Sequence, residues 1–160
     1  MREMLGTIIA WLLGLLAIGT LLVMFNTATS TSKTNQALSD LSSMVSSIQA
    51  IYYSHPSYSS LSSTVAINGK LAPQSMINGA SLINPWGGTV TLAVNSTNSS
   101  MFDVTEPNVP SDACSKLTTA IGNLQSLTIN GTTVAQPADP ATVTTSCNNT
   151  ANSMVLTFGH

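Results

Sequence analysis

Charge is what this sequence has least of. Four Lys and Arg and six Asp and Glu make up 6% of 160 residues, against roughly 25% in ordinary soluble chains. The four cations, Arg2, Lys33, Lys70 and Lys116, are scattered, and the formal net charge is −2. Nucleic-acid binding needs clustered Lys or Arg to displace counterions from phosphates, so no direct nucleic-acid contact is expected. Ser, Thr and Asn stand in for the missing charges. Such a surface is polar but weakly repelling, so copies can pack side by side without burying unpaired ions.

Histidine is nearly absent too. His55 and His160 are solitary, with no cysteines or carboxylates at metal-ligand spacing. No glycine loop cradles a phosphate, since Gly87-Gly88 follows a turn and enters a strand rather than a helix. Asp103, Glu106 and Asp112 lie close in sequence. No EF-hand-like loop surrounds them, so a solvated acidic edge is expected there rather than a calcium site. The Asn-x-Ser/Thr sequons at Asn95, Asn98, Asn130 and Asn148 are what chance gives in a chain so rich in these residues. No catalytic residue, metal site or cofactor is expected, and the chain does not read as an enzyme.

Proline is missing before Pro56, and charge is missing from Met4 to Phe25. Roughly 20 uncharged residues in a helix cover about 30 Å of hydrocarbon, so Met4–Phe25 reads as a membrane-spanning helix. A signal-peptide core is only about 7–15 residues long, so this run is expected to stay in the protein. Arg2 at its start places the N-terminus in the cytoplasm by the positive-inside bias, with the rest exported. Gly6, Gly14 and Gly19 interrupt the run. They read equally as ordinary membrane-helix composition and as points of close helix packing, and Gly14 to Thr20 is the stretch expected to unwind.

After a polar patch from Asn26 to Asn35, Leu38, Leu41, Val45, Ile48 and Tyr52 recur at three- and four-residue spacing. Ala37, Met44 and Ile51 widen this stripe, while Ser39, Ser43, Ser46, Ser47 and Gln49 occupy much of the other face. That is an amphipathic helix with one face against a domain. No breaker intervenes between Met4 and Tyr53, so a single helix of about 50 residues, near 75 Å, is expected, stopped at Ser54-His55-Pro56. The expected organisation is a membrane or core segment 1–25, an amphipathic half 26–53 and a globular head 54–160.

Within the head, residues 57–85 read as loop-rich, with a short strand candidate at Thr64–Ile67 and a turn at Asn68-Gly69. Asn84-Pro85-Trp86-Gly87-Gly88 reads as a tight turn feeding a strand at Thr89–Val94. Asn95–Ser100 joins it to a second strand, Met101–Thr105. Ser111 is expected to cap a helix running to about Leu124. Leu127–Ile129 and Thr132–Val134 flank Asn130-Gly131, a strong hairpin signal. A Pro/Thr-rich loop and a closing strand, Met154–Phe158, complete an α+β fold in which a long helix packs on an antiparallel sheet.

There are two cysteines, Cys114 and Cys147. In an exported domain such a pair reads as a disulfide, the alternative being two buried free thiols. Its loop of about 33 residues would contribute on the order of 3–4 kcal/mol.

The layout resembles type IV pilins, and within them the type IVb group. The likeness runs from the apolar N-terminal helix through Ile83-Asn84-Pro85-Trp86-Gly87-Gly88-Thr89, similar to the family's Asn-Pro-aromatic-Gly turn. It continues with Phe102-Asp103-Val104-Thr105 and with Val109-Pro110-Ser111-Asp112-Ala113-Cys114-Ser115-Lys116-Leu117. It ends with Cys147 and Val155-Leu156-Thr157-Phe158-Gly159. The resemblance implies a long helix on an antiparallel sheet with a disulfide-closed C-terminal region. It implies a subunit held in the bacterial inner membrane, head in the periplasm, that polymerises with its own copies into a helical extracellular pilus. Met4, Leu5, Ile8, Ile9, Leu12, Leu16, Leu22 and Phe25 would line the filament core.

The resemblance further implies a prepilin peptidase that removes a leader and methylates the new N-terminus, an assembly ATPase, a secretin, and minor pilins or a tip adhesin. Conjugation-associated attachment, adhesion and aggregation are the roles it suggests. No leader precedes Met1, so the chain reads as mature or nearly so. Met1 and Glu3 are the expected assembly residues. The family carries its glutamate at the fifth mature position, whereas here it is Glu3, so either the numbering begins two residues late or the head of the helix is shorter. Glu3 would meet the α-amine of a neighbouring subunit or, alternatively, pair locally with Arg2. Two other readings are a type II secretion pseudopilin and a monomeric membrane-anchored binding domain. The late cysteine pair and the Asn84–Thr89 motif count against the first, and the proline-free continuation past Phe25 against the second.

Overall fold

The computed structural model describes residues 29–159. The chain divides into two compact units, Met1–Ser32 and Lys33–His160. Of the first, residues 29–32 are described and are helical. All other described residues belong to the second unit, the head.

Helix α1 (residues 29–52) presents Ala37, Leu41, Met44, Val45, Ile48 and Tyr52 to the head core. The three- and four-residue spacing puts these side chains on one face, which the head covers. The stripe is narrower than expected at its end. Ile51 is 55% exposed and Tyr53, beyond the last helical residue, is 85% exposed. The covered arc stops at Tyr52, whose ring lies 5.1 Å from that of Tyr58. Tyr58 in turn lies 4.8 Å from Phe102, and Phe102 lies 5.6 Å from Phe158. This chain of rings fastens the helix end to the middle of the sheet.

Between helix and sheet, the segment expected as a strand at Thr64–Ile67 is instead helix α2 (Ser63–Asn68). Four residues cannot distinguish the two periods, and the Ser62 side chain decides for helix by accepting the Val65 amide. A 3-10 turn (Gln74–Met76) then leads to a hairpin of β1 (Ile77–Asn78) and β2 (Ser81–Ile83) within the stretch read as loop.

Strands β3 (Thr89–Val94) and β4 (Met101–Val109) follow. β4 runs four residues past the expected Thr105 and carries a bulge between Glu106 and Val109. Helix α3 (Ser111–Ala120) starts from Pro110 rather than from a capping Ser111. It stops short of Leu124 because Gly122 and Asn123 (φ 60°) break it, and Leu124 opens β5 (Leu124–Ile129) instead. β5 and β6 (Thr132–Val134) form the hairpin that Asn130-Gly131 signalled. The Pro/Thr-rich loop contains a further helix, α4 (Pro140–Ser146), capped by Asp139 with proline in its first turn. Strand β7 (Asn152–Gly159) closes the chain.

The seven strands form one antiparallel sheet in the order β1-β2-β3-β4-β7-β5-β6, so the last strand sits inside. Leu92, Val104, Leu156 and Leu127 are in register across four strands and buried. Every second residue of β4 from Phe102 to Glu106 is buried, as strand alternation requires.

Candidate functional site

Asn84, at the end of β2, ties the turn after it to the bulge of β4. Its Nδ2 donates to Glu106 Oε2 at 3.0 Å and to the Pro107 carbonyl at 2.6 Å. Its Oδ1 accepts from the amides of Trp86 at 3.2 Å and Gly88 at 2.8 Å. The Asn84 amide donates to Gly88 O, and the Gly87 amide donates to Asn84 O, both at 2.9 Å. The side chain, 3% exposed, thus uses both donors and both acceptor positions. The two glycines are required by this geometry. Gly87 has φ +81°, and a Cβ on Gly88 would lie 2.5 Å from Pro107 O. The Asn-Pro-Trp-Gly-Gly sequence is therefore a structural joint.

Glu106 is only 3% exposed, which corrects the expectation of a solvated acidic edge at this residue, whereas Asp112 is exposed and Asp103 half-buried. The strand alternation that buries Phe102 and Val104 carries Glu106 to the same side. Burial raises its pKa from 4.5 to about 7, against the opposing effect of the Asn84 hydrogen bond and with some help from Asp40. Asp40, on α1, accepts from Ser75 Oγ at 2.7 Å through Oδ1, while its buried Oδ2 has no hydrogen-bond partner among the described residues. Asp103 is half-buried, accepting from Asn95 Nδ2 at 3.0 Å and from Thr157 Oγ1 at 2.7 Å.

A second joint lies beside the disulfide. Cys114 of α3 and Cys147, just after α4, are bonded and buried, with Cα atoms 5.8 Å apart. Asn152 Nδ2 donates to Val109 O at 3.1 Å and Asn149 O at 2.8 Å. Its Oδ1 accepts from Asn130 Nδ2 at 2.8 Å and from the Asn149 amide at 3.2 Å. Asn130 also donates to Ser146 O and accepts from the Ser153 amide, each at 3.0 Å. The β5–β6 turn, the end of α4, the end of β4 and the start of β7 are thus held at one place. The sequence marks Asn130 as a turn residue and one of several sequon asparagines and gives no sign of Asn152, because polar side chains in an Asn-rich chain give no local signal.

The expected assembly residues Met1 and Glu3 lie outside the described residues. So do the expected core residues Met4, Leu5, Ile8, Ile9, Leu12, Leu16, Leu22 and Phe25, and the unwinding expected at Gly14 to Thr20. Among the described residues no helix is long and apolar enough to cross a membrane. No group of three His, Cys, Asp or Glu side chains that could hold a metal ion occurs among them. An open cleft of about 660 Å³ beside the end of α1 is lined by Gln49, Tyr53, Asn123, Gln125 and Gly159. Gln49 Nε2 donates to Gly159 O at 2.7 Å there. The lining offers amides and a phenol, with no paired acid and base.

A helix packed on an antiparallel sheet, with a disulfide closing the C-terminal region, defines the class: a pilin head, which is structural and non-enzymatic. The chain belongs to the PilS N-terminal family, whose model matches residues 31–159, and is a type IVb pilin, a subunit of type IV pili. A crystal structure of type IVb pilin from Salmonella typhi is similar at TM-score 0.65 and 18% identity, over 79% of this chain and 99% of that one. The NMR structure of Salmonella typhi type IVb pilin (PilS) gives 0.55 and 20%, over 79% and 96%. The crystal structure of TcpA, a type IV pilin from Vibrio cholerae El Tor biotype, gives 0.53 and 17%, over 81% and 99%. No curated protein matches the chain.

Proposed function

We propose that this chain is the repeating subunit of a type IVb pilus, polymerising helically with the apolar residues of Met4–Phe25 in the filament core. The observation that carries the reading is the family match over residues 31–159, joined to an uncharged run of membrane length. Subunits wait in the inner membrane, N-terminus in the cytoplasm and head in the periplasm, and pass from there into the growing filament. The transfer is nearly neutral in burial, because the helix leaves lipid for an equally apolar bundle. Contacts that repeat without closing a ring give an open filament. A head (Lys33–His160) with five acidic and three basic residues, locked by its two asparagine joints, suits close lateral packing.

Glu3 draws an incoming subunit into place by pairing with a neighbour's α-amine in the apolar core, since a carboxylate there is costly unless paired. A peptidase, an assembly ATPase, a secretin and minor pilins or a tip adhesin serve this assembly, and the finished pilus acts in attachment, aggregation or conjugation. Glu3→Ala tests the reading. Loss of surface pili with the subunit retained in the membrane is the expected result, and normal pilus yield contradicts the role given to Glu3.

A further inference from the structure

The tripeptide Ile-Asn-Gly occurs three times, at Ile67-Asn68-Gly69, Ile77-Asn78-Gly79 and Ile129-Asn130-Gly131. In an Asn-Gly pair the glycine amide nitrogen can attack the preceding carboxamide carbon, because no Cβ crowds its approach. The N–Cγ bond forms, the amide proton leaves with the displaced NH2 as ammonia, and a succinimide ring results. Water then opens one of the two ring carbonyls to leave aspartate or isoaspartate. Only water is consumed and only ammonia released.

The same chemistry meets three different surroundings. At Asn68 the nucleophile is engaged, since the Gly69 amide donates to Val65 O at 2.8 Å in the C-cap of α2. At Asn130 the electrophile is held. Its Nδ2 donates to Ser146 O and Asn152 Oδ1, and its Oδ1 accepts from Ser153 N, which stops the carboxamide from turning onto Gly131. At Asn78 neither restraint exists. Among the described residues neither the Asn78 carboxamide nor the Gly79 amide makes a hydrogen bond, and both residues are exposed. Gly79 (φ +61°) turns the β1–β2 hairpin in open space. β1 is a two-residue edge strand held through the pairs Ile77↔Leu82 and Asn78↔Ser81, so local opening to a reactive geometry costs little.

We infer that Asn78 is a self-modifying site, converted by water to aspartate and isoaspartate in the folded chain while Asn68 and Asn130 persist. Each conversion replaces a neutral amide with a carboxylate, on a chain whose formal net charge is only −2. Long-lived subunits thereby come to differ from new ones on the surface of β1.

Peptide mass mapping of the full chain, stored in mildly alkaline buffer at body temperature, tests the inference. Fragmentation that separates isoaspartate from aspartate locates the one-dalton gain, and the same chain unfolded in urea is the reference. In urea all three asparagines should convert at similar rates. In the folded chain Asn78 should outpace the other two by about tenfold or more, and Gly79→Ala should suppress its conversion. Equal rates at the three sites in the folded chain, faster conversion at Asn68 or Asn130, or protection of all three would overturn it.

Discussion

Asn84 holds the buried carboxyl of Glu106 at 3.0 Å and, with the same nitrogen, the carbonyl of Pro107. One amide therefore fixes the start of a strand bulge and, through its oxygen, the turn that enters β3. Asn84→Ala strips the buried Glu106 and the Gly88 amide of their partners together. The expected cost is about 2–4 kcal/mol of head stability, read from urea denaturation of the purified chain. A change under half a kilocalorie would mean the joint is incidental.

Glu106 makes the head respond to pH. Its pKa is higher folded than in the unfolded chain, so the native state binds the proton more tightly. Stability from this group is fully present below the unfolded value near 4.5 and is lost as pH rises through about 7. The span is worth at most about 3 kcal/mol. Melts across this range should show the fall, and Glu106→Gln, which keeps an acceptor for Asn84, should flatten it. An unchanged slope in the variant would assign the pH response to another group.

Gly88→Ala pushes a methyl to 2.5 Å from Pro107 O and 3.0 Å from Asn84 Nδ2. Relief must come from parting β3 from the β4 bulge, at about 3 kcal/mol. Thermal unfolding should show a large drop, whereas alanine at Gly122, where a Cβ meets nothing within 4 Å, should leave the melt nearly unchanged.

Reducing Cys114–Cys147, or replacing both by serine, releases a cross-link of sequence separation 33. The expected loss is about 3–4 kcal/mol, measured by denaturant midpoint with and without reductant. The double variant should show no further response to reductant.

Much of this fold was legible in the sequence because its elements carry strong local signals. The α1 stripe has a sustained helical period, Asn130-Gly131 marks its hairpin, and Thr89–Val94 alternates without interruption. The failures occur where the signal is short or polar. Thr64–Ile67 is too brief to reveal its period, and α4 buries only Val143 among its seven residues, though Asp139-Pro140 is a helix start that could have been read. Glu106 escapes the sequence reading because a strand expected to end at Thr105 leaves it outside the alternation. Extending the alternation of Phe102 and Val104 by one step would have placed it inside. Asn152 carries no signal at all, since two of its four hydrogen bonds reach Val109 and Asn130, far away in sequence, and the other two close on Asn149.

A helical reconstruction of filaments sheared from cells producing this chain decides whether it is a polymerising subunit with an apolar N-terminal core. Density for successive copies should place residues 4–25 along the axis and heads built on residues 33–159 outside. Filaments that lack this chain, or a core empty of those helices, would contradict the proposal.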